Sequence, residues 1–465
     1  MKNLKRRILY FALPAFSILL LAAADQYYEI AKHIDIMVSV YKEVDANYVD
    51  EINHAKIMRK GIDAMLADLD PYTVFYSESE VEDYKFQQTG VYGGIGANIG
   101  QKSGKFTVLE IYKGFAADKA GMLPGDVLIE VDGKDVTDSK VKDLGPFLKG
   151  EPNTEVSIKF QRMGEPTPKI VTFNREEVKV DNVSFAKKLS NQIGYIKFSN
   201  FRDGGALEVK KHLSEFKKEG IAGLILDLRG NPGGLLREAV ELVNLFVKKG
   251  EIVVTTKGKN TYNNRTYTTN QSPYDLELPI VVLIDENSAS ASEIVSGSLQ
   301  DYDRAIIVGN TSFGKGLVQN VVPLTYNTQV KVTISKYYIP SGRCIQRLDY
   351  ASKDDDGEVH AFPDSLKQEF ATAGGRLVYD GAGVDPDIEV EDQKPNEVVQ
   401  GLIDQYLIFD FATKFRLNNA EIGEPQEFKV DDALFAEFKQ FVSGQGFDLK
   451  TKAETQLDKL KKQLK

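Results

Sequence analysis

The sequence is poor in the residue types that build disulfides, metal sites and histidine-based catalytic triads. Its 465 residues include one cysteine, Cys344, and four histidines. A single cysteine excludes an intramolecular disulfide and a cysteine-based zinc site, and no pair of histidines has the spacing of metal ligands. The net charge of −10 argues against a broad nucleic-acid surface. We therefore expect no metal, cofactor or nucleic-acid partner. The histidines lie on predicted helices or in a polar insertion rather than on a loop facing a nucleophile, so a hydrolase of this sequence needs another base.

The chain does contain enough apolar sequence for several folded domains, because 42% of its residues are hydrophobic and 27% are charged. Its amino terminus differs from the rest. Four basic residues precede an uncharged apolar run from Ile8 to Ala24, with Ala22 and Ala24 as small residues before Asp25. This pattern is typical of a secretory signal, and an uncleaved membrane anchor is the alternative. Residues 1–24 thus predict export, to the periplasm or to the outward face of the inner membrane.

Hydrophobic periodicity divides the remainder into four regions. Residues 25–86 have apolar positions at helical spacing. Residues 87–178 combine clustered glycines with β-rich segments and two short helices, the size of one small domain. In residues 179–390, apolar strands alternate with amphipathic helices, which predicts a partly parallel sheet covered on both faces. Residues 391–465 return to helical spacing. The expected fold is a multidomain α+β protein, with residues 347–380 as a polar, irregular surface insertion.

Two glycine-rich segments resemble nucleotide-binding motifs and are rejected. Residues 309–315 match the first seven positions of a P-loop, but Gly316 occupies the eighth position, where a serine or threonine should hold magnesium. Strand-like residues follow this segment, so no helix N-terminus is available for a phosphate. The Gly94-Ile95-Gly96 segment lacks both the third glycine and the following helix of a dinucleotide-binding fingerprint.

Ser290 is the candidate nucleophile. It follows the apolar strand Leu278–Ile284 and precedes a helix, so its hydroxyl should stand exposed at the sheet edge. Free N–H groups at the start of that helix would face developing negative charge. A serine before a helix is also an ordinary N-cap. We expect Ser288 to take the capping role and Ser290 to remain for chemistry.

A glycine-rich loop is expected beside this serine turn. The loop at residues 229–234 follows a second apolar strand, and the carboxyl ends of neighbouring parallel strands meet at one edge of a sheet. Glycines let bare backbone amides point at a ligand. We therefore predict that the N–H of Ala291 and that of Gly233 or Gly234 form an oxyanion hole.

Lys315 is the candidate base in place of histidine. It lies between Gly314 and Gly316 after an apolar strand. Burial disfavours the charged ammonium group, so desolvation would lower the pKa of this lysine toward the range of a general base. Taken alone, a Gly-Lys-Gly segment is an ordinary turn.

These segments together resemble blocks of the carboxy-terminal processing, or tail-specific, serine proteases. The similar blocks occur in the family's order over roughly residues 85–390: 226–234, 288–294, 313–316 with Gln319, and 337–343. The resemblance implies that Ser290 is the nucleophile, Lys315 is the base and Gln319 orients the lysine. It also implies a β-α sandwich core, of the ClpP/crotonase-like kind, and oxyanion donors at Ala291 and in the 230–234 loop.

The family also carries a PDZ domain, which residues 87–178 resemble. The segment similar to its carboxylate-binding loop comprises Tyr92, Gly93, Gly94, Ile95, Gly96 and Ala97. The resemblance implies that this loop binds the C-terminal carboxylate of a peptide while the peptide adds a strand. One departure is Lys149, which stands where some relatives have an arginine that couples the PDZ domain to the catalytic core. Lysine lacks the bidentate fork of arginine.

The sequence thus predicts an exported Ser-Lys endopeptidase that cleaves proteins near their C-termini. Its partners would be proteins or peptides with free C-termini, and it would meet a membrane only through the N-terminal segment; a homo-oligomer is compatible with the sequence. Two alternatives stay open. A non-catalytic PDZ adaptor would have lost the Ser-Lys pair, and a Ser-Lys amidase of a small molecule would not need a carboxylate-binding domain.

Overall fold

The computed structural model describes residues 27–137, 144–354, 357–391, 395–419, 422–423 and 428–463. The predicted leader at residues 1–24 lies outside these ranges. The chain divides into two compact units, Met1–Phe75 and Tyr76–Lys465. Within the described ranges, no helix has the length and apolar character needed to span a bilayer.

The described part of the first unit contains two helices, α1 (27–47) and α2 (His54–Ala67). The Asn53 side chain caps α2 by accepting the N–H of Lys56. Past the end of α2, the carboxylate of Asp70 accepts the N–H groups of Tyr72 and Thr73 and forms a turn. Strand β1 (Val74–Tyr76) follows.

The second unit begins with a helix and a small antiparallel β-domain. Ser77 and Glu80 start helix α3 with a capping box, and Gly90 in the left-handed conformation ends it. The main sheet has the order β3-β4-β5-β7-β8, with β6 beside β5, while β2 pairs with β9. The bounds are α3 (Glu78–Thr89), β2 (Val91–Gly94), β3 (Ala97–Lys102), β4 (Lys105–Ile111), α4 (Ala116–Lys119), β5 (Val127–Val131), β6 (Lys134–Asp135), α5 (Gly145–Leu148), β7 (Glu155–Gln161), β8 (Lys169–Asn174) and β9 (Glu176–Lys179).

A mixed sheet of order β10-β11-β12-β15-β16-β23 forms the first layer of the following region. Strands β10 and β11 are antiparallel, and every later neighbour is parallel, as the alternation of apolar strands and helices predicts. The bounds are β10 (Val183–Lys188), β11 (Ile193–Phe198), α6 (Gly205–Lys218), β12 (Gly223–Asp227), α7 (Leu236–Asn244), β13 (Ile252–Lys257), β14 (Arg265–Thr268), β15 (Ile280–Ile284), α8 (Ala291–Asp301), β16 (Ile306–Gly309), β17 (Leu317–Pro323) and β18 (Gln329–Tyr338).

Helix α8 lies between this sheet and a second one. In the second sheet, β18 pairs antiparallel with both β13 and β17, and β13 pairs with β14. Helix α8 contacts β16 of the first sheet and β13 of the second, and all of its residues are buried. The residues after Gly309 run into strand β17 rather than a helix, which agrees with rejecting a P-loop.

The region expected to be an irregular insertion contains two short antiparallel hairpins, so that expectation was wrong. Strand β19 (Leu348–Lys353) pairs with β20 (Val359–Ala361), and β21 (Glu369–Ala371) pairs with β22 (Leu377–Tyr379). Three of these four strands have only three residues, which is too short to show an alternating apolar pattern, and the longer β19 (Leu348–Lys353) is largely polar. Strand β23 (Ile388–Glu389) then joins the first sheet.

The described residues after 395 form four helices, and three of these helices enclose a small apolar core of their own. Leu402, Leu407 and Val442 are the buried residues of this cluster. The bounds are α9 (Glu397–Asp404), α10 (Leu407–Asn418), α11 (Asp432–Gly444) and α12 (Lys452–Gln463). Asp410 of α10 forms an ion pair with Lys102 of β3, so this helical region contacts the small β-domain.

Candidate active site

Three loops meet at the carboxyl edge of the parallel sheet. Strands β12, β15 and β16 are neighbours, with Asp227 opposite Leu283 and Ile284 opposite Gly309. The loops that follow these strands contain the predicted glycine-rich segment, the predicted nucleophile and the predicted base. Parallel pairing therefore brings together three segments that are far apart in the sequence.

Ser290 occupies a strained turn at the start of α8. Its φ of 56° and ψ of −111° lie outside the regions that non-glycine residues usually adopt. Such a conformation costs about 1–3 kcal/mol and persists where the surroundings impose it. Ser290 is itself the N-cap residue of α8, so the expectation that Ser288 caps this helix was wrong. The Ser288 hydroxyl instead donates to the carbonyl of Leu228 at 2.9 Å and joins the first two loops.

Gly233 lies directly against the nucleophile turn. A Cβ at this position would lie 2.8 Å from the Ala291 nitrogen and 2.9 Å from the Ser290 Cβ, and φ is +95°, so only glycine fits. The Gly233 N–H donates to the Asn231 Oδ1 at 2.9 Å. The predicted pair of oxyanion donors is therefore adjacent, but Gly233 would have to share or release its present acceptor. Their role stays a prediction.

Asn231 joins the glycine-rich loop to the nucleophile turn. Its side chain and backbone are fully buried, and its carbonyl accepts the Ala289 N–H at 3.0 Å and the Ser292 hydroxyl at 2.9 Å. Gly234, the other predicted donor, forms a parallel bridge with Phe201. A Cβ on Gly234 would lie 2.5 Å from the Phe201 carbonyl, so this glycine permits a close approach of two backbones.

The backbones of Lys315 and Ser290 converge on the hydroxyl of Tyr337. This hydroxyl lies 2.6 Å from the Lys315 carbonyl oxygen and 3.1 Å from the Ser290 carbonyl oxygen. Gln319, on β17, donates its side-chain N–H to the Thr333 hydroxyl at 3.1 Å. The structure therefore holds the candidate base and nucleophile by one buried tyrosine, while an orienting role for Gln319 stays a prediction.

Glu293 is a site residue to which the sequence analysis assigned no role. It is fully buried, and its Oε2 accepts the N–H groups of Ser290 at 2.7 Å and Lys315 at 2.9 Å. Its Oε1 accepts the Ser312 hydroxyl and the Gly314 N–H. Burial raises the pKa of Glu293 to about 7, against the opposing effect of these hydrogen bonds. The signal was present, because a serine followed three residues later by a glutamate is the capping-box pattern.

Asp227, at the end of β12, anchors the glycine-rich loop electrostatically. Its buried carboxylate accepts the Tyr195 hydroxyl at 2.6 Å and the Arg229 guanidinium at 2.7 Å, and Lys197 lies 3.2 Å away. Burial by itself raises the pKa of Asp227, but the hydrogen bonds from Arg229 and Tyr195 outweigh it and lower the pKa to about 2. The carboxylate is therefore ionised at neutral pH and holds the start of the loop in place.

The small β-domain contains a groove of about 420 Å³ at the predicted carboxylate-binding loop. Of the six predicted residues, Tyr92, Ile95 and Ala97 line it. Gly93 and Gly94 lie in β2, which pairs with β9, and Gly96 has a φ of +75°. The other lining residues are mainly apolar or aromatic and include Phe86, Ile99, Phe106, Tyr112, Leu144 and Leu148. Such a groove is suited to a chain end with apolar side chains.

Comparison with known proteins identifies three families that match parts of this chain. Residues 192–352 match peptidase family S41, residues 107–162 match the PDZ domain, and residues 398–465 match a family described as the C-terminal helical domain of a probable PDZ-protease. A carboxy-terminal-processing protease of Bartonella bacilliformis is 31% identical over 357 residues, which are 74% of this chain and 81% of that protein.

Two further similarities complete the comparison. A probable CtpA-like serine protease of Staphylococcus aureus is 34% identical over 310 residues, which are 66% of this chain and 61% of that protein. The solved structure of a photosystem II D1 C-terminal processing protease is 27% identical, with a TM-score of 0.41, and the match covers 76% of this chain and 86% of that one. The sequence relationship to the Bartonella protein and the S41 match lead to one conclusion: this chain belongs to the carboxy-terminal-processing serine proteases of peptidase family S41.

Proposed function

We propose that this chain is an exported endopeptidase that cleaves proteins near their C-termini with a Ser290–Lys315 dyad. The observation that carries the proposal is the joint anchoring of the two residues. The Tyr337 hydroxyl contacts the carbonyls of both, and the Glu293 carboxylate accepts the N–H groups of both. Two segments that are 25 residues apart in the sequence are thereby held as one unit.

In the proposed reaction, the Ser290 hydroxyl attacks the scissile carbonyl while the Lys315 amine takes its proton. The N–H of Ala291 and that of Gly233 or Gly234 stabilise the oxyanion. The tetrahedral intermediate then breaks its C–N bond, and the Lys315 ammonium returns the proton to the leaving amine. Water attacks the resulting ester with Lys315 again as the base, which releases the new C-terminus and restores the serine.

The substrate's C-terminus would lie in the groove of the PDZ domain. Its apolar lining favours apolar terminal side chains, and a free carboxylate would bind at the loop of residues 92–97. Amidating that terminus removes the anionic anchor. We expect an amidated substrate to be bound or cleaved more weakly than its free-acid form, and equal kcat/KM for both forms over a range of concentrations would contradict this role.

The finer architecture belongs to the same proposal. We propose a ClpP/crotonase-like β-α sandwich over residues 179–390 as the catalytic core and residues 391–465 as a helical tail. The two layers separated by buried α8 support the sandwich. The basic and apolar residues of the leader at 1–24 support export to the periplasm or to the outward face of the inner membrane.

The decisive experiment compares Ser290→Ala with Ser292→Ala on unfolded exported proteins, with new C-termini mapped by mass spectrometry. Ser290→Ala should fold and lose cleavage. Ser292→Ala should retain cleavage, because the Ser292 hydroxyl donates to the buried Asn231 carbonyl and its loss costs only about 1 kcal/mol of stability. Full proteolysis by folded Ser290→Ala would refute Ser290 as the nucleophile, whereas a wild-type protein that binds protein C-termini without cleaving them would favour the PDZ adaptor. Cleavage of small amides without any cleavage of proteins would favour the amidase.

A further inference from the structure

Strand β17 is an edge strand that begins directly after the candidate base. It spans Leu317–Pro323 and starts two residues beyond Lys315, and among the described strands it pairs only with β18. Within the described residues, its backbone forms no hydrogen bond outside the ladder with β18. The backbone groups on the other side of β17 are therefore available, and such an edge is a template on which an extended chain can add a strand.

The hairpin loop after β17 shows which backbone groups of the strand face outward. The Leu324 N–H donates to the Thr328 carbonyl at 2.8 Å, so Leu324 faces β18. The pairing with β18 continues from this point over residues 319–323 without an irregularity. Because hydrogen-bonded and non-hydrogen-bonded pairs alternate along an antiparallel ladder, every second residue before Leu324 faces away from β18. The residues whose backbone groups face the free edge are Gln319, Val321 and Pro323.

Two further observations agree with this orientation. Pro323 has no N–H group, and proline in a sheet is confined to positions whose nitrogen faces away from the ladder. The Gln319 side chain donates to the hydroxyl of its cross-strand partner Thr333 at 3.1 Å, as expected for a non-hydrogen-bonded pair, in which facing side chains lie closest. Gln319 and Val321 thus each present one donor and one acceptor at the free edge, and Pro323 ends the row of donors.

The start of this edge is held beside the candidate nucleophile. The carbonyls of Lys315 and Ser290 both contact the Tyr337 hydroxyl, and β17 begins two residues after Lys315. The ladder with β18 is irregular between Val318 and Gln319. Irregularities of this kind redirect a strand and are frequent next to active sites. A chain segment that lies along the free edge would therefore lead to the Ser290 turn.

We propose that the free edge of β17 binds the substrate backbone as an added antiparallel strand. The inference rests on the proposed function and names how the segment to be cleaved is held. Strand β18 pairs antiparallel with both β13 and β17, so an antiparallel addition continues the pattern of this sheet. Because β17 runs away from Lys315, an antiparallel substrate runs toward it. The residues on the N-terminal side of the scissile bond therefore lie on the edge.

The test uses the full chain and a decapeptide with a free C-terminus that spans a cleavage site mapped in the experiment above. A single N-methyl group is placed in turn on each residue before the scissile bond, which removes one backbone donor at a time. The substrate residues opposite Gln319 and Val321 exchange hydrogen bonds with the edge, and the residue between them does not. We expect kcat/KM to fall by about fivefold or more at two positions separated by one residue, with little change between them. No loss, or an equal loss at every position, would overturn the proposal.

Val321→Pro tests the same contact from the side of the protein, and Val321→Ala is its matched control. Proline removes the outward N–H of residue 321, whereas alanine keeps this N–H and also shortens the side chain. We expect kcat/KM of the unmethylated decapeptide to be about fivefold lower for the proline variant than for the alanine variant. Equal kcat/KM in the two variants would show that the N–H of residue 321 does not bind substrate.

Urea unfolding tests the orientation of the strand without any substrate. Val321→Pro should unfold at a urea midpoint close to that of Val321→Ala, because the lost N–H does not bond to β18. Val322→Pro should unfold at a clearly lower midpoint than Val322→Ala, since it removes a ladder hydrogen bond. Equal losses at both positions, or the reverse order, would overturn the orientation. Failure of the proposed function is a distinct result: the unmethylated decapeptide would then remain uncleaved, and this inference would fall with it.

Discussion

Replacing Glu293 with glutamine tests the buried carboxylate that joins the candidate nucleophile to the candidate base. The two carboxylate oxygens accept hydrogen bonds from Ser290, Ser312, Gly314 and Lys315. Glutamine keeps the shape but has one acceptor oxygen. The Ser312 hydroxyl and the Gly314 N–H share the Oε1 atom of Glu293. If the amide nitrogen of the glutamine takes the place of Oε1, the Ser312 hydroxyl can turn to accept a hydrogen bond from it, but the Gly314 N–H loses its acceptor. A buried donor left unpaired costs about 1–3 kcal/mol.

The pKa shift of Glu293 determines how the free energy of unfolding changes with pH. Burial raises the pKa of Glu293 from 4.5 to about 7. A carboxyl group whose pKa is raised by folding contributes stability below the unfolded pKa, and this contribution is lost as pH rises through the folded value. The full shift corresponds to about 3 kcal/mol. Between pH 5 and pH 8, the free energy of unfolding of the wild type should therefore fall by about 2–3 kcal/mol relative to Glu293→Gln.

Urea unfolding followed by circular dichroism, at several values between pH 5 and pH 8, measures this difference for both proteins. The variant also lacks the ionisation, so a limb of the kcat/KM profile near pH 7 should disappear from it. If the substitution displaces the segments of Ser290 and Lys315 by about 1 Å, we expect kcat/KM to fall by about a hundredfold. A difference in unfolding free energy that stays constant across this pH range would refute the titration of Glu293.

Three further substitutions test the base and its anchoring. Lys315→Arg should be nearly inactive over the whole pH profile of kcat/KM, because guanidinium stays protonated; wild-type rates would exclude Lys315 as the base. Gln319→Glu should move the alkaline rise of the same profile to higher pH, since an added carboxylate favours the ammonium form, and an unmoved profile would argue against contact with Lys315. Tyr337→Phe should lower kcat and cost about 1 kcal/mol of stability by removing the shared hydroxyl; unchanged kcat would show that this anchor is dispensable.

Local sequence patterns were sufficient for the elements that carry the site. Apolar strands that alternate with helices predicted parallel pairing, and parallel pairing implied that the loops after β12 and β15 lie side by side. Asp227 opposite Leu283 confirms that arrangement. Local patterns were insufficient for the N-cap of α8, because Ser288 and Ser290 both have capping chemistry and a contact with Leu228 engages Ser288. The hairpins between residues 348 and 379 were also missed, since three of their four strands have only three residues and carry almost no periodic signal.

The sequence by itself determined much of the chemistry that is available: a single cysteine excludes a disulfide and a cysteine-based zinc site, none of the four histidines lies in the strand-turn segments that carry the site, and the strand, turn and helix around Ser290 follow from hydrophobic spacing and small residues. The tertiary structure alone decided the partners of those groups. The burial of Glu293, the hydroxyl of Tyr337 between two carbonyls, and the approach of Arg202 to Phe86 all join residues that are distant along the chain or buried by distant ones. Such contacts depend on how the layers pack, and hydrophobic periodicity reports only on which face of each element is covered.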